Sequence, residues 1–292
     1  MKICWLVLFF TSTFINCLAQ KPLQALNATI IGSGSPVFNI ERAGPSVLIN
    51  YNSTYILVDM GNGTQANLNK IGIKTRKLDG LLITHHHLDH NEELTPIFIN
   101  SLLGNKKFTV AGPKSTSKYI ENILDIYHED ISYRLERKNK KIEDAKKNYE
   151  IKELSNNSTF KIGEITISCT PVNHSIETLA YRFDAGGNSI VISGDLTYSE
   201  SLPVLAKNAD YLIIDSGTLT NKKARKNKTS KRRGHLNLNE SGRMAKSANV
   251  TNLVLTHFTK NKIDTISTKK VLSEKYSGNV VFAYDLLKLP LN

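Results

Sequence analysis

Four of the chain's eight histidines fall within six positions, at His85, His86, His87 and His90, and Asp89 stands among them. Imidazole and carboxylate in one short stretch form a donor set for Zn²⁺, with Fe²⁺ or Mn²⁺ as alternatives. The apolar run Leu81-Leu82-Ile83 leads straight into the cluster, so a buried strand would deliver these donors at its tip. A solvated loop or a purely structural metal site is the plainer reading, and the residues downstream decide against it. The same device, an apolar strand ending abruptly in a polar residue, recurs at Asp195, Asp215 and His257. Strand tips of a two-sheet core that converge on one edge would bring such residues together.

The elements that must do this are legible as short strands between turn signals. Residues 28–34 read as a strand ending in Gly32-Ser33-Gly34-Ser35-Pro36, and 46–50 with 55–59 as a hairpin. Gly32 and Gly34 lack the dinucleotide-binding spacing, and no Lys-Ser/Thr follows, so they are structural turns. A short helix at 65–71, a strand at 78–84 and a helix or loop at 92–103 surround the histidine cluster. A strand at 108–111 precedes a helix at 114–127, whose Tyr119, Ile120, Ile123 and Ile126 should face inward. The charged stretch 136–150 reads as a solvated insert. Strands follow at 161–171, 178–184, 189–193, 211–215, 253–256 and 280–284. Helices fall at 202–206, 238–247 and 269–276.

The 292 residues suffice for one large domain with a substantial core. Lys2, the apolar run at 3–15 and the small residues before Gln20 have the form of a secretory signal peptide over residues 1–19. The remainder, 20–292, is then a single domain, secreted or periplasmic. A retained anchor or lipoprotein processing at Cys17 is the weaker alternative, and no later segment is apolar enough to span a bilayer. Cleavage would leave Cys169 alone and the mature chain without an internal disulfide. The formal charge of +12 is concentrated in local runs, above all the eight lysines and arginines between Lys222 and Arg233. That run is a solvated loop or a flexible rim for an anionic ester. Aromatic residues do not interleave with it, so the stacking-plus-charge signature of nucleic-acid binding is incomplete.

His85-His86-His87-Leu88-Asp89-His90 fits the His-X-His-X-Asp-His motif of the metallo-β-lactamase superfamily, which the chain resembles from about residue 28 to 289. His174 in Pro-Val-Asn-His-Ser, Asp195 in Ser-Gly-Asp-Leu and His257 in Leu-Thr-His-Phe match its later ligands. Arg42-Ala43-Gly44-Pro45-Ser46, the glycines after Asp59 and a histidine at His235 are similar to the branch of ribonuclease Z, zinc phosphodiesterases and a class of arylsulfatases. The resemblance implies a four-layer αβ/βα sandwich of α/β class with two zinc ions. His85, His87 and His174 would hold one ion, Asp89, His90 and His257 the second, and Asp195 would bridge them. Asp59 would stand behind the ligands, while His86 should point away and His128 is solvated or a cap. His235 would stabilise or protonate the leaving oxygen, oriented by Asp215, where the ribonuclease Z pattern has glutamate; Asp89 would help orient the nucleophile.

The implied reaction is hydrolysis of a phosphodiester or aryl sulfate by a metal-activated hydroxide. The short spans between His174, Asp195 and Asp215 leave no room for a tRNA-clamping arm, so a small anionic ester is the expected substrate rather than structured tRNA. A lactonase, another hydrolase of this fold, a ribonuclease Z-like endonuclease and a non-catalytic metal- or anion-binding protein are the alternatives. A homodimer is compatible with the resemblance, though no stretch specifies an interface.

Overall fold

The computed structural model describes residues 25–104, 106–216 and 234–289. The expected signal segment, with Cys4 and Cys17, and the basic run 222–233 lie outside the described residues.

Two seven-stranded sheets face one another. The first contains β1 (Asn27–Gly32), β2 (Ser46–Tyr51), β3 (Thr54–Val58), β4 (Gly80–Leu82), β5 (Phe108–Gly112) and β6 (Tyr149–Glu153). The second contains β7 (Thr159–Ile162), β8 (Ile165–Val172), β9 (Thr178–Ala185), β10 (Asn188–Ile192), β11 (Tyr211–Asp215), β12 (Asn252–Thr256) and β13 (Asn279–Phe282). β14 (Leu287–Leu289) crosses back to pair with β1. Alternation explains the layers: Val47, Ile49, Ile56 and Val58 face one side of the first sheet, and Leu48 and Leu57 face the other.

On the inner side they join Ile167, Cys169, Tyr181 and Phe183 of the second sheet. The same cluster takes in Leu202 of α6 (Ser201–Leu205), Met244 of α7 (Leu238–Ala248) and Leu272 of α8 (Thr265–Ser273). On the outer side of the first sheet, Leu57, Leu81 and Val110 pack with Phe98 and Ile120. Those two come from α2 (Leu94–Leu102) and α3 (Thr116–Ile126); α1 (Thr64–Lys70), α4 (His128–Glu136) and α5 (Ile142–Lys146) complete the helices. Full burial of each such side chain is worth about 1.5–3 kcal/mol. The product is the four-layer αβ/βα sandwich. No helix of the described residues is long and apolar enough to cross a membrane.

Strand direction positions the site. β10, β11 and β12 are mutually parallel, as are β3, β4 and β5. Their C-terminal ends therefore emerge on one edge, where ligands collect in open α/β sheets. A parallel bridge from Gly34 to Phe258 joins the two sheets at that edge.

Four expectations need correction. The charged stretch 136–150 is not a solvated insert throughout: Ile142 and Ala145, three apart on α5, are buried, and residue 149 opens an edge strand. Edge strands tolerate charge, which hid it in the sequence. The single strand at 161–171 is two, because Gly163, at φ +56°, reverses the chain into a hairpin. On α3, Ile120 and Ile123 are buried, but Tyr119 is 40% and Ile126 74% exposed. They lie seven apart on the flank of the apolar stripe. The last helix begins at Thr265, where Asp264 caps it by accepting from Ser267 N at 3.0 Å. β14 carried no signal strong enough to be read.

Candidate metal centre

Left-handed turns aim the strand ends. Asp59, Gly194 and His257 have φ of +59°, +62° and +64°. The two non-glycine cases hold strain of about 1–3 kcal/mol each, a cost that persists where surrounding structure over-determines it. For Asp59 the determinants are visible: its Oδ1 accepts from Thr84 N at 2.8 Å and its own N–H donates to Leu82 O at 2.9 Å. The histidine loop is clamped as well. Asn91 Nδ2 donates to His85 O and His87 O, and Met60 N donates to His90 O at 2.8 Å.

The structure brings His85, His87, His174 and Asp195 into one group whose donor atoms lie within 4.8 Å of one another. Asp89, His90, Asp195 and His257 form a second such group. Asp195 belongs to both. Its Oδ2 is 3.9 Å from His85 Nε2 and from His174 Nε2, while its Oδ1 is 3.3 Å from His90 Nε2 and 3.4 Å from His257 Nε2. One carboxylate thus presents an oxygen to each group. Asp89 Oδ2 completes the second, 3.4 Å from His257 Nε2 and 3.5 Å from His90 Nε2.

Hydrogen bonds behind the rings fix which nitrogen faces inward. His90 Nδ1–H donates to Asp59 Oδ2 at 2.7 Å, leaving Nε2 for the centre. Thr84 Oγ1 spends its proton on Asp59 Oδ2 at 2.8 Å, so it accepts from His85 Nδ1–H at 3.0 Å. His87 is turned round: its Nε2–H donates to Ser175 Oγ at 3.2 Å, and Nδ1 looks inward. Three ring nitrogens then converge, His87 Nδ1 lying 3.0 Å from His85 Nε2 and 3.2 Å from His174 Nε2. His90 Nε2 is buried and makes no hydrogen bond. Unpaired nitrogens aimed at a shared carboxylate fit a cation between them. Imidazole and carboxylate donors make this a divalent-metal site.

Titration tells the same story. Burial, then the neighbouring His90, pushes His85 well below the usual imidazole range, and burial lowers His174. Both are neutral donors. Burial opposes protonation of His90 and His257 too, but the charge of Asp195, with Asp59 on His90 and Asp215 on His257, raises them. Burial alone would lift Asp195; His257 and His90 outweigh it and hold the carboxyl well below its usual range.

His235 enters between β11 and α7, and its Nδ1–H donates to Asp215 Oδ2 at 2.7 Å. The shorter aspartate therefore reaches. Burial opposes its charge, yet the bond and charge of Asp215 raise His235 to about 9. Its ring edge lies 3.9 Å from Asp195 Oδ2, beside the centre. His86 points elsewhere, stacked on Tyr119 at 4.2 Å with 7° between planes, and Nε2 pairs with Thr116 Oγ1 at 3.2 Å. His128 is exposed at the start of α4. Thr84 and Ser175 were missed in the sequence. Their one signal is adjacency, since each touches a ring beside a cluster histidine, and small hydroxyl residues are too common for that to stand out.

The profile of the beta-lactamase superfamily domain matches residues 54–258. The chain belongs to that superfamily. It is a metal-dependent hydrolase of the superfamily. Ribonuclease Z of Mycobacterium bovis (strain BCG / Pasteur 1173P2) is 29% identical over 243 residues, 80% of this chain and 86% of the relative. Among solved structures of similar fold is the metallo-beta-lactamase fold protein YhfI from Bacillus subtilis, with TM-score 0.72 and 21% identity over 91% of this chain and all of that one. Human tRNase Z, short form, has TM-score 0.71 and 20% identity over 91% of this chain and 99% of that one. A diphosphatase of the PhnP family has TM-score 0.64 and 17% identity over 92% and 98%.

Proposed function

We propose that this superfamily hydrolase is a two-zinc phosphodiesterase acting on small anionic esters outside the cytoplasm. The observation that carries the reading is the His235–Asp215 pair at 2.7 Å, set at the rim of a cluster whose Asp195 serves two donor groups. The names of the relatives, a ribonuclease and a diphosphatase, support phosphoryl chemistry, and the apolar N-terminal run supports export.

His85, His87 and His174 would hold one ion, Asp89, His90 and His257 the other, and Asp195 would serve both. Such ions, when bound, supply Lewis acidity to the ester oxygens and acidify a water. The chain's residues do the rest. Asp59 and Thr84 keep His90 and His85 in the donor tautomer. Asp89, whose Oδ2 turns toward His257, orients the attacking water through its other oxygen. Asp215 holds Nδ1 of His235 so that Nε2 carries a proton toward the leaving oxygen, and the imidazolium offsets the charge that develops there.

That proton distinguishes substrates. An alkoxide leaving from a phosphodiester needs protonation far more than the phenoxide of an aryl sulfate, and so has more use for His235. A simple lactone is neutral and brings no anion to pair with it. Ribonuclease Z-like cleavage is the second reading, favoured by the relatives' names. Against structured tRNA, the span from His174 to Asp215 is filled by β9, β10 and α6 with short connections and carries no projecting arm.

The test is a screen of zinc-loaded protein against bis-aryl phosphate, cyclic nucleotide, aryl sulfate, lactone, β-lactam and precursor tRNA. Phosphodiesters should turn over fastest, with two zinc ions per chain and turnover lost in His87→Ala. His235→Ala should keep its zinc and lose about 10²–10⁴-fold in rate on the cyclic nucleotide, whose alkoxide leaving group needs the proton, and less on the bis-aryl phosphate. Preferred cleavage of lactone, or full rate on the cyclic nucleotide in metal-replete His235→Ala, overturns the proposal.

A further inference from the structure

Val37, Phe38 and Ile40 stand on the loop between β1 and β2, and they are 57, 81 and 92% exposed. Single apolar side chains on a surface need no explanation, but three on one short loop do. The loop is well tied. Gly34 N donates to Ala43 O at 2.8 Å across its base, Arg42 N turns back to Asn39 O, and Glu41 N donates to Asn39 Oδ1 at 2.9 Å. Arg42 pins it to the body, with Nη1 donating to Ser33 Oγ at 2.6 Å and Ala283 O at 3.1 Å and the guanidinium 4.9 Å over the Phe258 ring. A built loop holds apolar side chains out in water, against the hydrophobic effect.

Its neighbours indicate the partner. The Asn39 side-chain amide donates to the Asn261 side-chain carbonyl, which places Asn261 beside the tip. Asn261 stands between Lys260 and Lys262, both exposed. Tyr284, 58% exposed, follows the Ala283 that Arg42 holds. The apolar tip is thus bonded to segments that carry an aromatic ring and two exposed cations; the carboxylates nearby are Glu41 on the tip, Asp264 capping α8, and Asp285, which accepts from Ser33 N and Ala43 N within the loop base. A stable protein interface takes about 800 Å² from each partner, more than three side chains offer. A lipid headgroup layer asks only for a few apolar and aromatic groups wedged in and cations over anionic lipid.

We propose that residues 36–41 form a membrane-docking loop, which inserts Val37, Phe38 and Ile40 into an anionic lipid surface while Lys260 and Lys262 rest on its headgroups. The docked loop holds the metal centre at that surface, because its base adjoins Phe258, whose N–H donates to Ser33 O at 2.9 Å one residue after His257. Docking does not depend on which ester is cleaved.

The test mixes the full zinc-loaded chain with vesicles of phosphatidylcholine alone or with phosphatidylglycerol. The parent should bind the phosphatidylglycerol vesicles, and Phe38→Ser with Ile40→Ser should bind them about 10-fold more weakly, with zinc content and melting temperature unchanged. Phe38→Trp supplies a reporter at the tip: its emission should shift to the blue on those vesicles relative to the parent, whatever else in the chain touches lipid. Equal affinity of parent and double variant, or no blue shift from Phe38→Trp, overturns the proposal. So does a concentration-dependent dimer that the double variant abolishes, which would make the loop an interface between copies.

Discussion

Asp59 Oδ2 accepts from His90 Nδ1–H at 2.7 Å and from Thr84 Oγ1 at 2.8 Å, and Thr84 in turn orients His85. One carboxylate behind the site therefore steers a ring in each of the two donor groups. Substituting Asp59→Asn keeps the shape but weakens the acceptor for both. Zinc affinity should fall about 10–100-fold at both positions, the range seen when groups supporting metal ligands are lost. Competition with a chelator checks this; loss of one ion alone would show that Asp59 serves a single group.

Gly61 lies against the back of the same loop. A Cβ there would come within 2.5 Å of Asp89 O and 2.6 Å of Gly44 C, both backbone atoms that have nowhere to go. Gly61→Ala should destabilise the fold by about 1–3 kcal/mol, as overpacking does, and displace Asp89. Urea unfolding measures the first effect. Zinc titration measures the second, with the Asp89–His90–His257 group weakened more than the other.

The sandwich was legible because its signals are local: apolar runs at 81–83, 190–192, 212–214 and 253–255 each stop at a polar residue. The motif spacing named the residues that the fold gathers, since period and direction of parallel strands put their tips on one edge. What stayed hidden depends on packing across the chain. No local pattern says that the flank of α3 at Tyr119 stacks on His86, or that residues 149–153 find an edge to pair with. The reach of Asp215 was equally hidden, because the place where His235 enters the site decides whether an aspartate suffices.

His235 sets a pH dependence. Raised to about 9 with Asp215 as the sustaining partner, it is protonated at neutral pH, and an acid role is lost as pH rises through its folded value. Zinc beside Asp195 offsets part of the raising charge, so the alkaline limb of turnover should have its midpoint below about 9. Asp215→Asn should move that limb to lower pH, while His235→Ala should remove it from the profile. Stability follows the same sign: the contribution of the pair is whole below the unfolded value of about 6.5 and fades as pH rises through the folded one. Rate profiles with zinc content checked at each pH decide the matter.

Ser175 is a support that no motif marks. His87 faces the centre through Nδ1, opposite to His85, and the bond that holds it so is Nε2–H to Ser175 Oγ at 3.2 Å. Ser175 is exposed, so Ser175→Ala leaves the core untouched and folding intact. Water can replace the hydroxyl at an open site, which puts the loss at the low end of the range for such supports, about 10-fold in zinc affinity for the His85–His87–His174 group. Ser175→Thr keeps the oxygen and should restore binding, which a purely steric role would not explain. Nitrogen chemical shifts of His87 in the zinc-loaded protein should report protonated Nε2 in the parent and in Ser175→Thr. Unchanged zinc affinity in Ser175→Ala would mean that the ring is held by the metal and its neighbours alone.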